Sequence, residues 1–214
     1  MINILGWQPF AILVACITIA FGAAAFIFNG AETLAEFIGL FSKTWLGLSI
    51  IIIGLGQSPA FAWLCKLRPL NMWVPDIDGQ WRGEISSNWP AIAKAHGIKD
   101  KDGKEFQDRI TPVTVDICVK LFSVSIELRS DSGYQNSKTL NCALRTNSHR
   151  GFELSYVYGS SVPEPKLSDE QKFYGAGLFD FSSRNPSKLD GVYWTNRKWQ
   201  EGQNTAGIIT LTRS

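Results

Sequence analysis

Charge is missing from long stretches of this 214-residue chain. Asp, Glu, Lys and Arg are absent from residues 1–31 and again from residues 44–65. A charged side chain at mid-bilayer costs roughly 2.5–3.5 kcal/mol on insertion scales, and about 20 apolar residues cross the hydrocarbon core. Both runs meet that length, so they read as membrane spans over about 7–28 and 45–65. A cleaved signal peptide would suit Ala23-Ala24-Ala25, but the first run lacks a Lys or Arg ahead of it and a second run follows. Buried core helices are excluded because no other part of so small a chain could wrap two of them.

Other absences narrow the function. Only two histidines occur, His96 and His149, and neither has a Ser, Asp or Cys partner at telling spacing. HExxH, a P-loop, GxSxG and paired Cys/His ligands are all missing. The chain therefore reads as a non-enzyme without a metal. The net charge of +2 implies no field suited to DNA or RNA. A compact anion needs only two or three placed cations and remains possible. Cys16 and Cys65 fall in the apolar runs. Cys118 and Cys142 fall in predicted strands, and are expected as reduced, buried thiols of a cytosolic domain rather than a disulfide.

The expected organisation is a transmembrane helical hairpin over 1–66, a linker over 67–75 and a soluble domain over 76–214. Trp7, Trp45, Trp63 and Trp73 suit interfacial positions, and Lys66 and Arg68 after the second run place the soluble domain in the cytoplasm. Small residues four apart, Ala11/Ala15, Ala20/Ala24 and Gly56/Ala60, permit close helix packing. Gln57-Ser58-Pro59 should kink the second helix. Pro69 and Pro75 mark the linker.

Period-two alternation then recurs to the end of the chain. Residues 77–86, 113–119, 122–128, 137–145, 151–159, 172–181, 188–195 and 205–213 read as strands. Eight strands in about 140 residues predict a compact up-and-down antiparallel β-barrel, with a sandwich as the alternative. Asn88-Trp89-Pro90 should open a short helix through Ala95, followed by a charged loop over 99–105; residues 160–171 form a second loop.

Binding is better supported than catalysis. Gly79-Gln80-Trp81 opens the domain as lipocalin-like barrels do, with Trp81 either closing the barrel's bottom or serving a ligand. Tyr193, Thr195 and Arg197 share one strand face, and Leu154, Tyr156 and Tyr158 form an aromatic row. Phenol rings and a guanidinium together can stack bases and grip phosphates. The candidate ligand-binding set is thus Trp81, Tyr156, Tyr158, Tyr193, Thr195 and Arg197; plain core packing is the alternative for the aromatics, and a surface or capping role for Arg197. A lipocalin-like carrier of an apolar molecule and a ligand-free membrane scaffold are the competing functions.

The helix pair, the Gly-x-Trp-x-Gly start at 79–83, and the stretches 154–158, 191–197 and 205–213 resemble a known family. They are similar to the two-transmembrane, β-barrel effectors of bacterial CBASS antiphage defence. That resemblance implies a barrel that binds a cyclic dinucleotide made by a cognate nucleotidyltransferase, with no other cofactor. It further implies homo-oligomerisation in the inner membrane, both termini in the cytoplasm, and membrane disruption that kills the infected cell. Residues 197–203 lengthen the turn that the family pattern places between Tyr193 and Thr205.

Overall fold

A computed structural model describes residues 7–29, 33–67, 71, 74–99, 102–107, 110–146, 151–165 and 170–214; for 7–14, 25, 28, 29, 34 and 37 it describes the backbone alone. Arg68, Pro69, Trp73 and His149, and the side chains of Trp7 and Ala11, lie outside the described residues. Helix α1 covers Trp7–Asn29. Helix α2 covers Leu34–Gln57 and so starts well before Trp45. Its start is set by a capping box: Thr33 Oγ1 accepts from the Glu36 amide at 3.3 Å, and Glu36 returns the bond to the Thr33 amide at 3.4 Å. The expected span over 45–65 is therefore corrected. Lys43 sits on the helix rather than in a connection, and the helix stops at Gln57. Among the described residues one stretch, Ile38–Gln57, is long and apolar enough to cross a membrane, and Ala15–Ala24 is a shorter apolar one. Ser42 and Thr44 return their hydroxyls to the carbonyls of Ile38 and Leu40, at 2.8 and 2.9 Å, which removes two unpaired donors from this apolar surface.

The expected kink is a full break. Ser58 is extended, its amide bonding Leu55 O at 3.2 Å, and α3 restarts over Ala60–Leu64 behind Pro59. The Gly56 carbonyl, left without a helical partner, accepts from the Leu121 amide at 2.8 Å. The Leu121 side chain packs on Gly56 so closely that a Cβ there would stand 2.6 Å from Leu121 Cδ2.

Eight strands follow: β1 (Gly79–Ser87), β2 (Ile110–Val119), β3 (Val124–Ser130), β4 (Asn136–Thr146), β5 (Phe152–Ser161), β6 (Lys172–Phe181), β7 (Lys188–Thr195) and β8 (Ala206–Arg213). Each pairs antiparallel with the next and β8 pairs with β1, closing the barrel that the alternation predicts. Short helix α4 (Trp89–Ala95), with Pro90 in its first turn, lies between β1 and β2. Phe122 stands outside β3 and is exposed, because the turn after β2 extends one residue beyond it. The β3–β4 ladder is short, three residue pairs ending at Glu127↔Lys138. Beyond it the register of β4 shifts between Thr139 and Asn141, and exposed Leu140 is the extra residue. Thr139 Oγ1 bridges the gap, donating to Ile126 O at 2.6 Å and accepting from Ile126 N at 2.8 Å.

The barrel end next to the helices is plugged. Phe61, Cys65, Val74, Ile77 and Trp81 are buried there in one apolar cluster with Val119 and Leu211. Trp81 is fully buried, its Nε1 donating to Ile77 O at 3.0 Å. Arg213, opposite Trp81 on β8, closes this end as a clamp. Its guanidinium lies 5.5 Å from the centre of the Trp81 ring, and donates to Asp76 Oδ1 at 3.0 Å, Asp78 O at 2.9 Å and Asn185 Oδ1 at 2.9 Å.

All four cysteines are free, but they are not all buried. Cys118 is exposed, because it falls on the outward phase of β2 between inward Ile117 and Val119. Cys142 is half-buried on the inward phase of β4, and desolvation lifts its thiol pKa to about 12.

Candidate functional site

The opposite end of the barrel is open. Inward alternation in a small barrel either fills the lumen or leaves room for one small ligand. Here a cavity of about 750 Å³ runs from the open end down to the level of Val115, Phe179 and Ile209. Its mouth is framed by Trp89, Ile98, Lys99 and Phe106 of the β1–β2 insertion, by the β3–β4 turn, and by the β7–β8 loop.

Five of the six sequence candidates line this cavity: Tyr156, Tyr158, Tyr193, Thr195 and Arg197. Strands β5 and β7 bring them there, each residue on the inward phase of its strand or just after it. Trp81 does not join them; it sits in the plug at the other end, where β1 begins. The tyrosines form a packed aromatic wall. The Tyr156 and Tyr158 rings are 5.7 Å apart, and Tyr156 stacks on Phe179 at 5.5 Å and 14°. Burial raises the pKa of Tyr156 and Tyr158, so both phenols are neutral at physiological pH. Burial also raises that of Tyr193, opposed by its hydrogen bond with Ser87 and the charge of Arg197.

Arg197 stands at the mouth with its guanidinium carbon 5.8 Å from the Trp89 ring centre and 5.6 Å from that of Phe173. Two rings around one guanidinium fix its position at the mouth. The Thr195 side chain is tied to the loop that follows β7. Its hydroxyl is 2.9 Å from Thr205 Oγ1 and accepts from the amides of Thr205 and Arg197 at 3.2 and 3.4 Å. It thereby fixes the start of the loop that carries Arg197.

Sequence reasoning did not single out Phe173, Phe179, Trp89 or Lys99. Phe173 and Phe179 share the inward phase of β6, which its alternation already showed. Trp89 and Lys99 lie in an insertion whose path over the mouth has no period to read. Among the described residues no cluster of His, Cys, Asp and Glu suits a metal.

An open barrel with an aromatic wall and a cation at its mouth is a receptor geometry. The family model described as Cap15, cyclic dinucleotide receptor domain, matches residues 72–213. The chain belongs to that family. A similar protein, CD-NTase-associated protein 15 of Escherichia albertii, is 27% identical over 143 residues. The alignment covers 67% of this chain and 64% of that relative. The Cap15 match spans all eight strands and the cavity, together with Val74, Ile77 and Trp81 of the plug.

Proposed function

We propose that this chain senses a cyclic dinucleotide as a CBASS antiphage effector, with the barrel cavity as the receptor. The observation that carries the reading is an open cavity with an aromatic wall and Arg197 at its mouth, inside a domain of the Cap15 receptor family. A cyclic dinucleotide brings two planar bases and two phosphate charges. Base stacking at about 1–3 kcal/mol per base and charge-assisted phosphate bonds at about 1.5–3 kcal/mol each both contribute toward the roughly 8 kcal/mol of a micromolar complex. Tyr156, Tyr158, Tyr193 and Arg197 make the contacts in this reading, and Thr195 positions Arg197. Trp81 stabilises the barrel and does not touch the ligand. A ligand-free scaffold fits less well, since the lumen is not filled.

The output in this reading is the N-terminal part, residues 1–66, inserted in the inner membrane as two spans with both termini and the barrel on the cytoplasmic side. The nucleotide comes from a cognate nucleotidyltransferase. Binding favours a homo-oligomer, which it can do only by binding that state more tightly than the resting one. Assembly then disrupts the membrane and kills the infected cell.

Full-length protein in detergent micelles tests the receptor step. Saturation at 100 times Kd adds about 2.7 kcal/mol of stability, so the unfolding temperature rises by several degrees with at least one cyclic dinucleotide. No shift and no calorimetric binding across a broad panel would sink the proposal. In cells, the full chain with its nucleotide depolarises the membrane and a chain lacking residues 1–66 does not; equal toxicity of the two contradicts the output mechanism.

A further inference from the structure

The outer wall of the barrel has two characters. Around β2, β3 and the start of β4 its outward residues are charged and paired. Arg129 meets Glu127 at 3.3 Å and Asp116 at 3.9 Å, and Lys138 reaches Glu127 at 3.9 Å. Across β5–β8, nearer the open end, the outward residues are apolar. One row of ladder partners joins Val157, Ala176, Trp194 and Ala206. The next joins Leu178, Val192 and Ile208. Tyr174 extends this surface on β6. A Cβ on Gly159 would stand 3.7 Å from the Tyr174 ring and 4.0 Å from Leu140 Cδ1, so the bulge residue joins the patch across that glycine. Leu140, Val157, Tyr174, Val192, Trp194 and Ile208 are each 45–65% exposed. A row of acids, Glu153, Asp180 and Asp190, bounds the patch on the side of the plugged end.

A single exposed Leu needs no explanation, but six large apolar side chains side by side do. Together they leave on the order of 700 Å² in water, above the roughly 300–600 Å² of the largest patch on a typical monomer. That area is close to the about 800 Å² that each partner buries in a standard interface. Closure of the barrel leaves no free edge for an added strand, so this face can be covered only by packing. Its lack of charge favours a copy of itself: the two faces meet without opposing like charges or stripping an ion pair of water. We propose that the outer face of β5–β8 packs on the same face of a second copy of this chain, giving a two-fold dimer of barrels before any ligand binds. Trp194 and Tyr174 anchor the contact. The inference does not depend on what the cavity binds. Trp194 nevertheless stands between Tyr193 and Thr195, which line the cavity, so β7 carries the interface on one face and the cavity wall on the other.

Light scattering on the full chain in micelles, with no nucleotide added, reads the protein mass once detergent is subtracted. At about 50 μM protein the expected mass is that of two chains. W194E and I208E each set a carboxylate in the middle of the face and should give the mass of one chain. S125E, exposed on the outward phase of β3, should keep two. Oxidation of Trp194 by hydroxyl radicals should be at least about threefold faster in I208E than in the native chain, because the second copy no longer covers the ring. A native chain of single mass overturns the proposal, and a Trp194 still protected in that monomer assigns the face to detergent or lipid instead. Pairing that survives both W194E and I208E overturns it as well, since the copies then meet through another surface, the helices included. Equal oxidation of Trp194 in the native chain and in I208E does the same. If one variant fails to fold, the other decides. None of these outcomes bears on the receptor reading, which nucleotide binding tests separately.

Discussion

Replacing Arg213 with methionine removes the clamp at the plugged end while keeping an unbranched apolar stem over Trp81. The side chain of Asp76 is only 10% exposed and that of Arg213 27%. Removing one partner of a buried pair costs about 3–5 kcal/mol, because the other charge stays behind desolvated. Water reaches part of the Arg213 head, so the expected loss falls to about 2–3 kcal/mol. The Asp78 carbonyl and Asn185 also lose their donor, at 2.9 Å each. For a domain of this size one kcal/mol corresponds to about 3–5 °C, so the barrel transition should drop by roughly 6–15 °C. Thermal unfolding of the full chain in micelles, followed by Trp fluorescence, measures it. Nucleotide affinity at temperatures where the variant is folded should stay within about threefold, since the clamp and the cavity occupy opposite ends. A shift below about 2 °C would show that the clamp is structurally idle. A large affinity loss in folded R213M would show that the two ends are not separate.

Three further outcomes follow from the same geometry. R197A should weaken nucleotide binding at least tenfold, with a shallower dependence on salt and an unfolding temperature within about 2 °C of the native chain; calorimetry at two ionic strengths reads both. Stability should fall as pH rises above about 10, because the unfolded chain releases the protons of Tyr156, Tyr158 and Tyr193 first. Their folded pKa values are raised, so their contribution is complete below the unfolded value and is lost as pH climbs towards the folded one. Absorbance at 295 nm should then show three of the five tyrosines ionising together with unfolding, and their earlier ionisation in folded protein would contradict the burial. G56V forces a side chain into Leu121 and should leave nucleotide affinity unchanged while reducing nucleotide-triggered depolarisation; a full response would show that this contact does not carry the signal.

The barrel was legible because inward and outward residues alternate without interruption over most of its strands. Strands β6 and β7 coincide with the segments expected at 172–181 and 188–195. Helix limits were harder to read, since absence of charge marks what a bilayer tolerates and not where a helix begins. Glu36 illustrates this: an acid lying between the two charge-free runs is the one that completes the cap of helix α2. Tyr156, Tyr158, Tyr193 and Arg197 could be grouped from strand phase, but Trp81 could not be assigned to an end of the barrel from phase alone. Arg213 was invisible as a clamp because its partner Asp76 lies 137 residues away. Cys118 was misread because predicted strand membership says nothing of burial until the phase is fixed.

Leu140 makes the wall of this barrel one residue longer on β4 than its pairing requires. Thr139 faces inward before it, and Cys142 and Leu144 face inward after it. Removing Leu140 would set Asn141 directly after Thr139 and restore strict alternation, with every remaining side chain on its present face. A single-residue deletion usually turns half a strand inside out; here it would repair one. The extra residue is thus a spare count in β4 relative to β5, placed where the β3–β4 ladder ends.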